Sequence, residues 1–209
     1  WRFREEDVAS LVEPGAPRGA ERGSGQPALP LPCLQAMQEL FSEAAGVASV
    51  IVDPLGEPLT EVIGSCAFCK LILASDAGRR RCMQSWAALA GNTSGAPRLH
   101  TCHAGLGYAH TVIHLDGKPL AAVIAGQLAL DGAAPHDQSA RLAELAEVCA
   151  VPRSLLADAY ATTYRLDHDQ QTKMLHLLGI LGMAACRIGN ERQRLVAKLD
   201  KIAQITMEN

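Results

Sequence analysis

Leu34, Met37, Leu40, Phe41 and Ala44 recur at steps of three and four, and Gly46 follows, so residues 33–45 are predicted to form a helix that stops at this glycine. From residue 47 the pattern turns β-branched. Val47, Val50, Ile51 and Val52 lead into Asp53-Pro54-Leu55-Gly56 and a second extended run to Thr60, which predicts a hairpin. Residues 71–74 and 78–90 return to helical spacing, the second with Cys82, Trp86 and Leu89 on one face, until the Gly- and Ser-rich stretch from Gly91 to Pro97 breaks it. Residues 100–115 read as a strand that turns at Asp116-Gly117, and residues 118–130 return as an apolar run suited to a buried central strand. A helix over 139–149 follows, and another begins near Pro152, a residue suited to a first helical turn. The order predicts an α+β domain: an antiparallel sheet with helices packed on one side.

The last helix carries the most regular pattern. Leu181, Ala185, Ile188, Arg192, Leu195, Leu199 and Ile202 alternate steps of four and three, the a/d seam of a left-handed coiled coil interrupted once by Arg192. An amphipathic helix lying on its own domain would share part of this pattern. The remaining faces carry Asn190, Glu191, Gln193, Lys198, Asp200 and Lys201, which favours a paired signalling helix and a homodimer. Residues 13–32 are too rich in Gly and Pro for a helix or a central strand. The expected organisation is therefore an N-terminal segment and linker over 1–32, a sensory domain over 33–180, and a coiled-coil linker over 181–209. The chain starts without Met and stops inside a helical pattern, so it is expected to be part of a longer protein with an output domain of its own.

Composition narrows the partners. Nineteen Lys and Arg against 22 Asp and Glu give a net charge of -3, and no basic stripe is present, so a phosphate-driven nucleic-acid partner is not expected. No apolar run reaches the ~18 residues of a membrane span, and the first residues do not read as a secretory leader, so no membrane contact and a cytoplasmic location are expected. Seven cysteines in such a chain are expected to be reduced thiols, with clustered ones binding metal or taking part in redox chemistry. Cys33, Cys149 and Cys186 stand among apolar neighbours and read as small buried hydrophobes.

Cys66-Ala67-Phe68-Cys69 has the spacing that lets two thiolates meet one tetrahedral ion, and Cys82 and Cys102 could complete four. Zinc or an iron–sulfur cluster suits such ligands. The later gaps of twelve and nineteen residues match no compact zinc-finger spacing, so a disulfide or four separate buried thiols account for the sequence equally. The stretch 101–110 concentrates polar side chains and glycines at a strand entrance, where Gly105 and Gly107 permit close backbone approach. Strand alternation puts His103 and Tyr108 on opposite faces unless a bulge intervenes. His110 and His114 read as solvated strand positions, His103 as a ligand contact or a satisfied core histidine. Gln127, a lone amide in the apolar run 121–130, needs a partner if it is buried. No GxSxG, P-loop, HExxH or dinucleotide fingerprint is present, and a Cys/His hydrolase built on Cys69 or Cys102 with His103 lacks an orienting third group, so no catalytic residue is assigned.

Residues 41–60, Phe68-Cys69-Lys70-Leu71-Ile72, Gly78-Arg79-Arg80-Arg81-Cys82, Cys102-His103-Ala104-Gly105-Leu106 and Gly126-Gln127 together resemble the PocR sensory domain, in its order, over about residues 34–180. The resemblance implies a PAS-like ligand-binding module that senses small organic molecules, such as simple hydrocarbon derivatives, ahead of a transcription-factor, kinase or cyclic-dinucleotide output domain. It also implies that Cys69, Cys82, Cys102, His103 and Gln127 occupy motif positions, with Cys66 less regular there, which allows a three-Cys site completed by His103 or by a bound ligand. Tyr108, His110 and His114 make the following strand more polar than is usual there, so an effector other than an alkane-like one is expected. The resulting expectation is a cytosolic, non-enzymatic sensor of signal transduction. It binds an effector through His103, Tyr108, Gln127, Phe68 and Trp86 and transmits through its C-terminal helix. A metal or redox sensor built on Cys66, Cys69, Cys82 and Cys102 is the alternative.

Overall fold

The structure, a computed structural model, describes residues 29–92, 95–130 and 135–207. The segment expected over 1–32 therefore lies outside the described residues except for its last four. Leu31 and Pro32 already belong to the first helix, α1 (Leu31–Ala45), because a proline in the first turn gives up no intrahelical hydrogen bond. Gly46 ends α1 in the left-handed region at φ 64°, with its N–H bonded to Ser42 O, as the sequence predicts.

The remaining elements are β1 (Ala48–Val52), α2 (Ala67–Ala74), α3 (Asp76–Ala90), β2 (His100–Thr101), β3 (Leu106–Leu115), β4 (Lys118–Ala129), α4 (Pro135–Cys149), α5 (Arg153–Ala161) and α6 (His168–Met207). The four strands form one antiparallel sheet in the order β1-β4-β3-β2. The chain is thus α+β with flanking helices, consistent with a PAS-like fold.

Helices cover both faces of the sheet, not one as predicted from element order. On one face, Ile51, Ala109, Ile113, Val123 and Ala125 pack with Leu34 and Phe41 of α1 and Met174, Leu178, Leu181 and Ala185 of α6. The alternate residues Val50, Val52, Tyr108, Ala122 and Ile124 pack with Trp86, Leu89 and Ala90 of α3 on the other. The reason is legible in β4, whose unbroken apolar run leaves neither face fit for water. A third cluster joins Cys66, Phe68 and Ile72 to Leu142, Leu145 and Cys149 of α4 and Leu156 and Ala159 of α5.

The predicted hairpin after β1 forms only in part. The returning arm touches β1 at two isolated bridges, Val52 with Pro58 and Ser49 with Ile63. Gln38, fully buried on α1, holds the arm instead: its Nε2 donates to Ser49 O and Glu61 O, each at 2.9 Å, and its Oε1 accepts from Thr60 Oγ1 at 2.6 Å. With a ladder donor missing at Pro58, a buried amide replaces the second strand.

α6 runs unbroken through position 180. Leu181 and Ala185, the first two seam residues, are buried in the domain's own core, so the seam is not exposed along its full length. Asn190 still contacts the β3–β4 turn, where Asp116 N–H donates to its Oδ1 at 2.9 Å. Only the seam beyond it is open, with Leu195, Leu199 and Ile202 each at least 60% exposed. Two further expectations change. Cys33 is exposed on α1, and His110 is buried, its Nε2 2.8 Å from Asn92 O at the end of α3.

Candidate functional site

The turn from Cys102 to Leu106 is closed by two backbone bonds, Cys102 N–H to Leu106 O and Gly105 N–H to Cys102 O, both 2.9 Å. Gly105 takes φ +79°, and a Cβ there would meet the Arg141 side chain at 2.2 Å, so the glycine serves both the turn and the approach of α4. Behind this turn, between the α3-covered face of the sheet and helices α2 and α3, lies a cavity of about 50 Å³. That is room for roughly three or four water molecules, or a small organic molecule of similar size.

A bulge shapes its floor. Gly107 faces Leu128 and Tyr108 faces Gly126, which leaves Gln127 as an extra residue in β4, at φ +66°. Gly126, at φ +144°, has no room for a Cβ, which would lie 2.6 Å from Gly107 O and Tyr108 Cα. The Gly-Gln pair is therefore the structural signature of the bulge. His103 on the turn and Tyr108 on β3, which plain alternation would separate, line the same cavity with Gln127 and Trp86. Phe68 does not line it. That ring is fully buried on the far side of α2 and meets Tyr160 of α5 edge-on, with centroids 5.3 Å apart.

The polar groups around the cavity are held by the protein and are neutral. Tyr108 Oη donates to Ser85 O at 3.1 Å, and burial pushes its phenol up to about 12. Cys82 Sγ lies 3.3 Å from His103 Nε2. Burial raises the Cys82 thiol to about 12, with Cys102 and Cys149 adding to it, while burial and then Arg81 lower His103 against the opposing pull of Glu144. A neutral thiol and a neutral imidazole share one proton along this contact, and the tautomer of the ring sets which of them donates. The Nδ1 of His103 is buried with no hydrogen-bond partner. Gln127 Oε1 accepts from Cys66 N–H at 2.8 Å, and its amide also meets Ser65 Oγ at 3.3 Å, which supplies the partner that a lone amide in an apolar strand requires.

The four clustered cysteines divide. Cys69, Cys82 and Cys102 line the cavity; Cys66 does not, and stands at the N-cap position of α2 with no side-chain capping bond. A hydrogen bond from the Cys69 thiol, helped by the amides of Cys69 and Phe68, lowers Cys66 to about 6 despite its burial. The same bond and burial hold Cys69 well above the ordinary thiol range, and burial raises Cys102. All seven cysteines are free thiols. Among the described residues no three His, Cys, Asp or Glu side chains are grouped to hold a metal ion.

Sequence reasoning missed Ser49, Val62, Leu73 and Ser85 as cavity residues. Ser85 was within reach, since it precedes Trp86 one turn after Cys82; the others required the packing of the sheet, its returning arm and α2 against one another. Among the described residues no helix is long and apolar enough to cross a membrane. A family profile described as the sensory domain found in PocR matches residues 28–190. No curated protein and no solved structure matches the chain.

Proposed function

The chain belongs to the PocR sensory-domain family, and from that premise we propose that its cavity binds a small organic effector and that the bound state is transmitted through α6 to an output domain. The observation that carries the reading is the cavity itself: mostly apolar walls with Trp86 and Tyr108, and a buried imidazole whose Nδ1 has no protein partner. Ligand pockets are typically apolar with a few polar groups that fix orientation. An effector with a short carbon skeleton and one hydrogen-bonding group, such as a hydroxyl, matches this lining. The neutral Cys82–His103 pair lacks the thiolate a nucleophile needs, which supports binding rather than catalysis.

β3 connects the cavity to α6. Tyr108 faces the effector side, whereas Ala109 and Ile113 pack against α6 on the other, and Gly182 of α6 is close enough to Thr111 that a Cβ would meet its Oγ1 at 2.3 Å. A shift of β3 therefore cannot leave α6 unmoved, because packed interfaces of this kind do not deform freely. A second copy of the chain covers Leu195, Leu199 and Ile202 in a parallel pair, which carries the motion to two adjacent output domains in a cytosolic signalling protein.

Thermal-shift and native mass spectrometry measurements against short alcohols, diols, ketones and aldehydes test the binding. A compound at about one hundred times its Kd should raise Tm by about 5–10 °C. Val62→Phe, which fills the cavity from its wall, should fold and lose the shift. Equal binding by Val62→Phe, or no stabilising compound in the series, would overturn the reading.

A further inference from the structure

Cys66 is the N-cap of α2 and Cys69 its third residue, so both thiols stand in the same first turn. The two are tied to the cavity by different routes. Cys69 is part of the wall, beside Cys82 and Cys102, and Cys66 donates its backbone N–H to Gln127, which forms the floor. The segment leading to the cap is irregular, and exposed Gly64 and Ala67 flank it, while Cys66 O accepts the first helical bond from Lys70 N–H at 3.0 Å.

We propose that Cys66 and Cys69 are a hydroperoxide-sensitive dithiol, and that closing their disulfide reshapes the cavity wall. The Cys66 thiolate attacks one oxygen of the hydroperoxide; the O–O bond breaks, hydroxide or alkoxide leaves, and Cys66 becomes a sulfenic acid. The Cys69 sulfur then attacks the Cys66 sulfur, the S–O bond breaks, and the departing hydroxide takes the Cys69 proton and leaves as water. Two electrons pass from the dithiol to the peroxide, and a dithiol reductant reverses the reaction by exchange. The roles follow from position. Cys66 faces the helix amides that favour a thiolate, whereas Cys69 is buried and keeps its proton until the S–S bond forms. Cys82 is engaged by His103, and Cys149, in the same buried cluster as Cys66, has no second cysteine within a turn of it along the chain. Closure draws the Cys69 sulfur out of the wall and pulls on the Cys66–Gln127 bond. This holds whether or not the cavity takes an effector.

The test uses the full chain with Cys33→Ser, to remove the exposed thiol, and Trp1→Phe, so that Trp86 is the one tryptophan. Limited hydrogen peroxide treatment, alkylation and peptide mass mapping should find Cys66 joined to Cys69, with Cys82 and Cys102 alkylated. Trp86 emission should shift on oxidation and return with dithiothreitol. Cys66→Ala and Cys69→Ala should each abolish the reversible shift, while Cys186→Ser retains it. A disulfide between any other pair, Cys66 and Cys69 still free once Cys186 has oxidised, or a mapped Cys66–Cys69 disulfide with unchanged Trp86 emission would overturn the proposal. The mapping on the otherwise native chain decides it even if an alanine variant fails to fold.

Discussion

The backbone N–H of Cys66 donates to Gln127 Oε1 at 2.8 Å, which ties the cap of α2 to a bulged residue of the central strand β4. Gln127 reaches this position at φ +66°, a conformation uncommon for residues other than glycine. The backbone strain is offset because the side chain returns to satisfy Cys66 and Ser65. One residue thus joins sheet, helix cap and cavity floor.

Gln127→Ala should therefore lower stability by about 1–3 kcal/mol, because a buried amide loses its acceptor while the strained φ remains. Gln127→Gly loses the same bond but relieves the backbone, so its loss should be smaller. Urea denaturation at neutral pH checks the order. A glycine variant less stable than the alanine one would contradict the strain at this position.

Gly126→Ala should be worse than either. Its Cβ would stand 2.6 Å from Gly107 O and Tyr108 Cα, and only rearrangement of the bulge relieves that. A loss of about 3 kcal/mol or more is expected, with effector binding lost even in the folded fraction because Tyr108 moves. Calorimetry and the ligand series measure the two effects separately.

The pH dependence has a defined sign. His103 is lowered by burial and by Arg81, so as pH falls below the ordinary histidine value of about 6.5 the unfolded chain takes a proton that the folded chain resists. Its contribution is present above that pH and is lost below it. Cys66, at about 6 when folded against 9.0 unperturbed, acts in the same direction at higher pH: its contribution is complete above 9.0 and is lost as pH falls through about 6. Denaturation midpoints should decline from pH 8 to 5, below the range in which the raised thiols of Cys69, Cys82 and Cys102 begin to cost stability as pH rises. His103→Gln should flatten the acid end of that decline and Cys66→Ser the alkaline end. A midpoint independent of pH across this range would contradict both.

Light scattering tests the pairing of α6. The full chain should be a dimer at micromolar concentration, and a chain ending at Glu191, which keeps the Asn190 bond to Asp116, should be a monomer. Leu195→Asp with Leu199→Asp should also give a monomer of unchanged Tm, since these side chains are 60% and 64% exposed and outside the core. A monomeric full chain, or a dimer that survives the cut, would show that this helix does not hold two copies together.

Metal content separates the effector reading from metal sensing. Protein prepared without oxygen should carry well under one equivalent of zinc or iron, because the clustered thiols are divided between the α2 cap and the Cys82–His103 pair. One bound metal per chain that is lost in Cys82→Ser would replace effector binding by metal sensing as the function of this site.

The sequence alone determined the elements and the family. Periodicity located α1, with its stop at Gly46, as well as α3, β4 and the long C-terminal helix, because spacing and glycine conformation act locally. Relations between elements were beyond it. The second face of the sheet is covered because β4 is apolar on both sides, yet which helices cover it depends on packing. Whether His103 and Tyr108 share a cavity depended on the turn from Cys102 to Leu106, which takes His103 out of the strand and so out of plain alternation. The hairpin arm was lost to Gln38, a buried amide on another element. The seam of α6 was read correctly as a pattern, but only tertiary structure decides that Leu181 and Ala185 spend it on the domain's own core while Leu195 and Leu199 leave it free, since burial is a property of neighbours rather than of spacing.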